Sequence, residues 1–186
     1  MTSIIFGLTG KNASGKGTVA EILKEKEFLY HSLSDSLRDE LKLLKRDETR
    51  ENLIDIGNEL RKHGGPGVLA DKLIPKLNSE SNHIVDSIRN PLEVLSLKKE
   101  SSLRRFFLIS VDANAKLRYD RLCSRGRIGD TDSWETFIEQ EKQEENNDDP
   151  SKQQLSKTMK MADFEIDNSG TLEDLKIEVN KIIASL

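Results

Sequence analysis

The amino-acid sequence predicts an α/β fold in three layers, a parallel sheet covered by helices on both faces, and three observations carry that prediction. Short apolar runs alternate with stretches of helical periodicity along the whole chain, the alternation that parallel strands with crossover helices require. The first run, Ile4 to Leu8, breaks at Thr9-Gly10 and gives way to a helical pattern at Val19, Ile22 and Leu23. Phe106 to Val111 is almost unbrokenly apolar, as expected of a strand buried on both faces.

Each element follows in order. After the first strand, glycine loop and helix, a second strand is expected at Phe28 to His31, and Ser34 is placed to cap a helix striped by Leu37, Leu41 and Leu44. Glu51 to Lys62 repeats the helical pattern through Leu53, Ile56 and Leu60 until Gly64-Gly65-Pro66-Gly67 stops it, and Val68 to Leu77 reads as a further short helix. A third strand, His83 to Val85, ends in Asp86, and Asn90-Pro91 supplies a cap and a first-turn proline for the next helix. The fourth strand, Phe106 to Val111, leads to a helix over Ala115 to Ser124. From Gly126 to Pro150 the chain turns polar, with Asp130, Asp132, Glu135, Glu139, Glu141, Glu144, Glu145, Asp148 and Asp149 against Arg127 and Lys142, and is expected to be an exposed excursion. Phe164 and Ile166 mark a fifth strand. Thr171 and Asp174 resemble a capping box opening a last helix, with Leu172, Leu175, Val179, Ile182 and Leu186 inward.

A chain of 186 residues is one domain with room for a real core. Its 29 Lys+Arg against 33 Asp+Glu leave a net charge of -4 with the signs interspersed, which argues against a nucleic-acid partner, as does the lack of a basic, aromatic-laced stripe. No apolar run approaches the roughly 18 residues that span a bilayer, and Met1 to Gly10 lacks a signal-peptide n-region, so a cytosolic protein without a membrane partner is expected. Cys123, the single cysteine, excludes an internal disulfide and a multi-cysteine zinc site; it is expected to be buried and inert. His31, His63 and His83 are scattered without ligand spacing. Lys116 and Arg118 read as solvated helix face, and Lys157 and Lys160, beside Met159 and Met161, as one face of an amphipathic helix.

Gly10-Lys11-Asn12-Ala13-Ser14-Gly15-Lys16-Gly17-Thr18 lies between a buried first strand and the start of a helix. Small residues there let successive N–H groups point inward at phosphate oxygens, the helix N-terminus adds positive potential, and Lys16 can reach the outer phosphates of ATP. Such Walker A loops commonly place Ser or Thr directly after the Lys, where its hydroxyl ligates magnesium. Gly17 cannot ligate a metal, so Mg2+ is expected to be held mainly by phosphates and water. This counts against a switch GTPase. An enzyme that brings two phosphorylated molecules together needs guanidinium groups to offset their repulsion. Arg38, after the second strand, and Arg89, after the third, fall at carboxyl ends of strands, where ligands bind in open α/β sheets. Arg121, Arg125 and Arg127 precede the acidic stretch. Asp35 can act either on the helix dipole or as a base, and both readings stay open.

These residues resemble the nucleoside monophosphate kinase superfamily, and within it the adenylate-kinase-related and deoxynucleotide-kinase-like branch. Gly15-Lys16-Gly17-Thr18 is similar to the adenylate kinase form of the loop, and Asp35-Ser36-Leu37-Arg38 to the acceptor segment whose arginine grips the monophosphate. The resemblance implies acceptor roles for Asp35, Arg38 and Arg89, a carboxylate at Asp86 for magnesium-bound water, and lid arginines at Arg125 and Arg127. Ile56-Gly57-Asn58-Glu59-Leu60-Arg61 looks like a further element of that branch and implies Arg61 as a third acceptor arginine. It also implies a P-loop NTPase fold with a five-stranded parallel sheet of order 2-3-1-4-5, in one domain over 1–186, with an acceptor-binding helical insert over about 34–80 and a helical lid over about 125–158. The implied reaction moves the γ-phosphoryl group of ATP, with Mg2+, onto a small (deoxy)nucleoside monophosphate, with Lys16, Arg89, Arg125 and Arg127 catalytic.

Two other resemblances and one other class of function stand beside this. Gly7-Leu8-Thr9-Gly10, Ala13-Ser14-Gly15-Lys16 and the run from Ala162 to Gly170 are similar to dephospho-coenzyme A kinases, which implies Asn168 beside the adenine. Leu33-Ser34-Asp35 followed by Arg38 fits an acceptor phosphate better. Asp86-Ser87-Ile88-Arg89-Asn90-Pro91 with Glu93-Val94 resembles kinase-like domains fused to deoxycytidylate deaminases, which implies a pyrimidine deoxynucleotide acceptor. The other class is a non-catalytic nucleotide-binding regulatory module, supported by the acidic stretch from Asp130 to Asp149, which repels polyphosphate unless its arginines face inward.

Overall fold

The computed structural model describes residues 3–100, 105–126, 133–145, 149 and 152–186. Its centre is a five-stranded, all-parallel sheet of order β2-β3-β1-β4-β5, with β1 at Ile4–Thr9, β2 at Leu29–Ser32, β3 at His83–Asp86, β4 at Arg105–Asp112 and β5 at Phe164–Asp167. Successive side chains of a strand point to opposite faces, so β1 feeds two cores. Phe6 and Leu8 pack with Val19 and Leu23 of α1 (Lys16–Lys24) and with Leu175 and Val179 of α9 (Leu172–Ala184). Ile5 joins Val85, Leu108 and the helices of the other face, α2 (Leu33–Leu43), α4 (Val68–Leu73) and α5 (Pro91–Glu100). The remaining helices are α3 (Arg50–Gly64), α6 (Ala115–Arg125), α7 (Trp134–Glu145) and α8 (Leu155–Met159). The three-layer parallel fold expected from the sequence is the one present.

Several local expectations are corrected. Strand β2 runs into α2 without a loop, so the cap is Ser32, whose hydroxyl accepts from the Ser34 N–H at 3.2 Å, rather than Ser34. Leu44 lies beyond the end of α2 and is exposed, while Leu33 fills the core position. The helix expected over Val68 to Leu77 ends at Leu73 and continues as a 3-10 turn, Ile74–Lys76, because Pro75 has no N–H to continue the α-helical ladder. At α9 the capping box of Thr171 and Asp174 is present, but Leu172, its first residue, points outward.

The polar stretch after α6 is not simply an exposed excursion. Where described, it forms α7, and Phe137 of that helix is buried against Tyr119 and Trp134. Arg118, expected on a solvated face, is 1% exposed. Its guanidinium makes a two-pronged pair with Glu141 of α7 and donates to Ala113 O at 2.8 Å. Cys123 lies one position off the buried stripe of α6 and is exposed. Among the described residues, no helix is long and apolar enough to cross a membrane.

Candidate functional site

The carboxyl end of β1 meets α1 through Gly10 to Gly15. Gly10 has φ +141°, and a Cβ there would fall 2.0 Å from Val111 O on the neighbouring strand; Gly15, at φ +103°, would place one 2.0 Å from Asn168 Nδ2. Only glycine permits both approaches. Gly15 caps α1 without a side-chain hydrogen bond, which leaves the positive end of the helix dipole to the space beside the loop. Lys16 Nζ folds back on the loop and donates to Gly10 O at 2.8 Å and Lys11 O at 2.9 Å. Asn168, expected near an adenine, is buried and donates through Nδ2 to Ser14 O at 2.9 Å, so it props the loop from behind. Lys11 also sits 3.8 Å from Asp112.

A cleft of ≈ 1120 Å³ runs from this loop across the carboxyl ends of β1 and β3. Three groups of residues that are distant in sequence line it: Asn12 through Thr18, then Arg38, Arg61, Asp86 and Arg89, then Arg121 and Arg125. The structure therefore gathers Lys16, Asp86 and the arginines expected to act together, with Asp35 beside them through its ion pair with Arg38. Arg127 lies outside the described residues.

Each charge in the cleft is oriented. Asp86, at the end of β3, accepts from the Tyr30 hydroxyl at 3.0 Å and from the Ser87 N–H at 2.6 Å. Burial, and then the Asp86 charge, push the Tyr30 phenol above its ordinary pKa, so it stays protonated and donating. Thr9 Oγ1 donates to Ile88 O at 2.8 Å and ties the segment after Asp86 to the end of β1. Arg38 is half-exposed between Asp35 at 2.9 Å and Glu48 at 2.7 Å. Arg89 donates to Gln153 Oε1 at 3.0 Å. Arg61 is buried and bonded to Glu93. From α6, Arg125 Nη2 donates to Asn12 Oδ1 at 2.9 Å, while Arg121 Nη2 donates to Asn168 O at 2.9 Å and its buried Nη1 has no partner among the described residues.

Sequence reasoning assigned no role to Tyr30, Gln153 or Glu93. The first two meet their partners only through the fold. Glu93 carried a local signal, since it stands three residues after the capping Asn90. The histidines expected to be scattered are a further correction: β2 and β3 pair side by side, with Leu29 opposite His83 and His31 opposite Val85, which puts His31 Nε2 3.0 Å from His83 Nδ1.

The residues present suit a magnesium nucleotide. The loop glycines leave room for phosphate against the backbone, Gly17 has nothing within 4 Å of where a Cβ would stand, and Asp86 faces the same cleft. Among the described residues there is no group of three His, Cys, Asp or Glu side chains able to hold a metal directly.

A family model described as AAA domain matches residues 7–153. A UPF0200 protein of Pyrococcus furiosus is 29% identical over 187 residues, covering 98% of this chain and 97% of that one. A UPF0200 protein of Sulfurisphaera tokodaii is 30% identical over 179 residues, covering 96% and 95%. Among solved structures, TT1252 from Thermus thermophilus matches with TM-score 0.59 at 23% identity, over 100% of this chain and 99% of that one. A gluconokinase from Sinorhizobium meliloti matches with TM-score 0.57 at 15% identity, over 98% and 91%. The shikimate kinase of Aquifex aeolicus matches with TM-score 0.53 at 12% identity, over 97% and 94%. The fold is that of P-loop kinases.

Proposed function

The chain belongs to the AAA-domain family and to the UPF0200 proteins, and from that membership and the geometry of its cleft we propose that it is an ATP-dependent kinase whose acceptor is the phosphate of a small (deoxy)nucleoside monophosphate. The observation that carries the reading is the single cleft joining the phosphate loop to Arg38, Arg61 and Arg89. A hydroxyl acceptor calls for a free carboxylate base near the loop, whereas Asp35 is engaged by Arg38 and Asp86 by Tyr30 and Ser87. An acceptor phosphate oxygen needs no base, only charge to bring it up to a second phosphate.

In this mechanism Lys16 leaves the carbonyls of Gly10 and Lys11 for the β and γ oxygens of ATP, and the loop N–H groups hold the same oxygens. Asp86, with its oxygens oriented by Tyr30 and Ser87, would hold a water of Mg2+, which would supply charge neutralisation for the phosphates. Arg38, Arg61 and Arg89, which line the cleft together, grip the acceptor phosphate. One of its oxygens attacks the γ phosphorus in line as the bond to the bridging oxygen of ADP breaks, which leaves ADP and the acceptor diphosphate. Arg125, on α6, lies within reach of the loop through Asn12 and adds charge where the phosphoryl group is in transit. Helix α7, latched to α6 by Arg118 and Glu141, forms the described part of the lid that keeps water out.

The test is ADP release with Mg-ATP against the ribo- and deoxynucleoside monophosphates, with dephospho-coenzyme A alongside and Lys16→Ala as the blank. Release with one monophosphate supports the reading and identifies the acceptor. Release with dephospho-coenzyme A alone transfers the assignment to that reaction. ATP binding without release to any acceptor leaves a nucleotide-binding regulatory module.

A further inference from the structure

Glu93 is a buried carboxylate that the mechanism above does not use. Its side chain is fully buried in the first turn of α5, and its two oxygens have separate tasks. Oε2 accepts the main-chain N–H groups of Arg89 at 2.9 Å and Asn90 at 3.0 Å, which fixes the segment that presents Arg89. Oε1 accepts from Arg61 Nε at 3.2 Å and Nη2 at 2.9 Å, which fixes the guanidinium of a residue on α3.

Arg61 is 4% exposed and still contributes to the wall of the cleft. With Nε and Nη2 turned to Glu93, Nη1 is the nitrogen left for a ligand. It lies over Gly57, one helical turn back, where a Cβ would stand 3.2 Å away. That small residue leaves the guanidinium its room. A buried ion pair contributes little net stability once both ions are desolvated, so the bonding pattern around Glu93 suits orientation more than it suits stability.

We propose that Glu93 is a positioning residue that sets Arg61 and Arg89 beside one another as two of the arginines, with Arg38, that bind the acceptor phosphate. The proposal rests on reading the cleft as an acceptor site. It adds to the binding arginines of that site one orienting carboxylate, which fixes two of them from different segments of the chain. Glutamine at the same position would keep the cap, because its amide oxygen can accept from Arg89 and Asn90, but would turn an N–H2 donor toward a guanidinium that has only donors.

The experiment is a titration of the full chain with inorganic phosphate, followed by the NMR signals of the arginine Nε–H groups, with Arg61→Lys used to assign Arg61. In the wild type the Arg61 and Arg89 signals should shift together with one dissociation constant. Glu93→Gln should weaken that constant about tenfold or more, the loss of one charge-assisted hydrogen bond, while the Arg89 and Asn90 amides remain protected. Lys181→Ala, an exposed residue of α9 that takes no part in the cleft, should leave it within about twofold, well short of the loss of one hydrogen bond. Should Glu93→Gln not fold, Glu93→Asp keeps the charge and Arg61 but is too short to serve both sets of donors, and must show the same weakening. An Arg61 signal indifferent to phosphate, or a glutamine variant that binds as tightly as the wild type, overturns the proposal. If no monophosphate is turned over while this response is intact, the kinase reading fails and the anion site stands.

Discussion

At Gly10 the constraint on this protein is a single atom wide. A Cβ there would meet the backbone oxygen of Val111, which cannot swing aside as a side chain can, and the φ of +141° is strained for any L-residue. Gly10→Ala is therefore expected to cost about 2 kcal/mol or more and to abolish ATP binding, as read by urea unfolding and by nucleotide titration. Lys16→Ala should leave stability nearly unchanged, since its ammonium bonds the part-buried loop carbonyls of Gly10 and Lys11, and lower turnover by orders of magnitude. Arg38→Ala should raise the acceptor KM more than the ATP KM, because Arg38 lines the cleft from α2 and outside the phosphate loop. An acceptor KM equal to the wild type would remove Arg38 from the site.

Between elements, two contacts are held by polar groups whose loss has different signatures. Arg118 joins α6 to α7 and stacks on Phe137, and its removal leaves the largely buried Glu141 carboxylate without its guanidinium partner. Arg118→Leu should destabilise by about 3–5 kcal/mol, whereas Lys181→Ala, an exposed pair with Glu178 on α9, should stay within about 0.5 kcal/mol. Parallel unfolding curves check both. The other contact is the histidine pair of β2 and β3. His83 Nε2 faces the carbonyl of Asn78 at 2.9 Å and so must donate, which leaves His83 Nδ1 to accept from His31 Nε2. Burial, then His83 and Lys76, lower the pKa of His31 from its ordinary 6.5. The unfolded chain thus takes up the proton first. Stability should be intact above pH 6.5 and fall as the pH drops below it toward the lower folded value, with His31→Gln flattening the slope. A stability profile indifferent to pH between 7 and 5 in the wild type would contradict the pairing.

For the whole molecule, β1 is the strand on which the site depends, since it lies between β3 and β4 and ends in the phosphate loop. Its amides are expected to be the slowest in hydrogen exchange, with the edge strands β2 and β5 opening earlier. Fast exchange across β1 would mean that the loop stands on a less rigid base than this sheet implies. What the sequence determined alone was local or periodic: the alternation of strand and helix, the loop from Gly10 to Thr18, the capping box of Thr171 and Asp174. Each depends on neighbours within one or two turns, so the chain itself carries the signal. The tertiary structure decided what depends on partners far along the chain. Arg118 looked solvated because it is a charged residue on a helix rich in charges, and it is buried because the acidic stretch returns as a helix that places Glu141 on it. Glu93 carries a local cap signal toward Asn90, but only the fold brings Arg61 of α3 to its other oxygen. The cleft belongs to the same class, because a parallel sheet brings the carboxyl ends of its strands to one edge, and residues as far apart as Asn12 and Arg125 meet there.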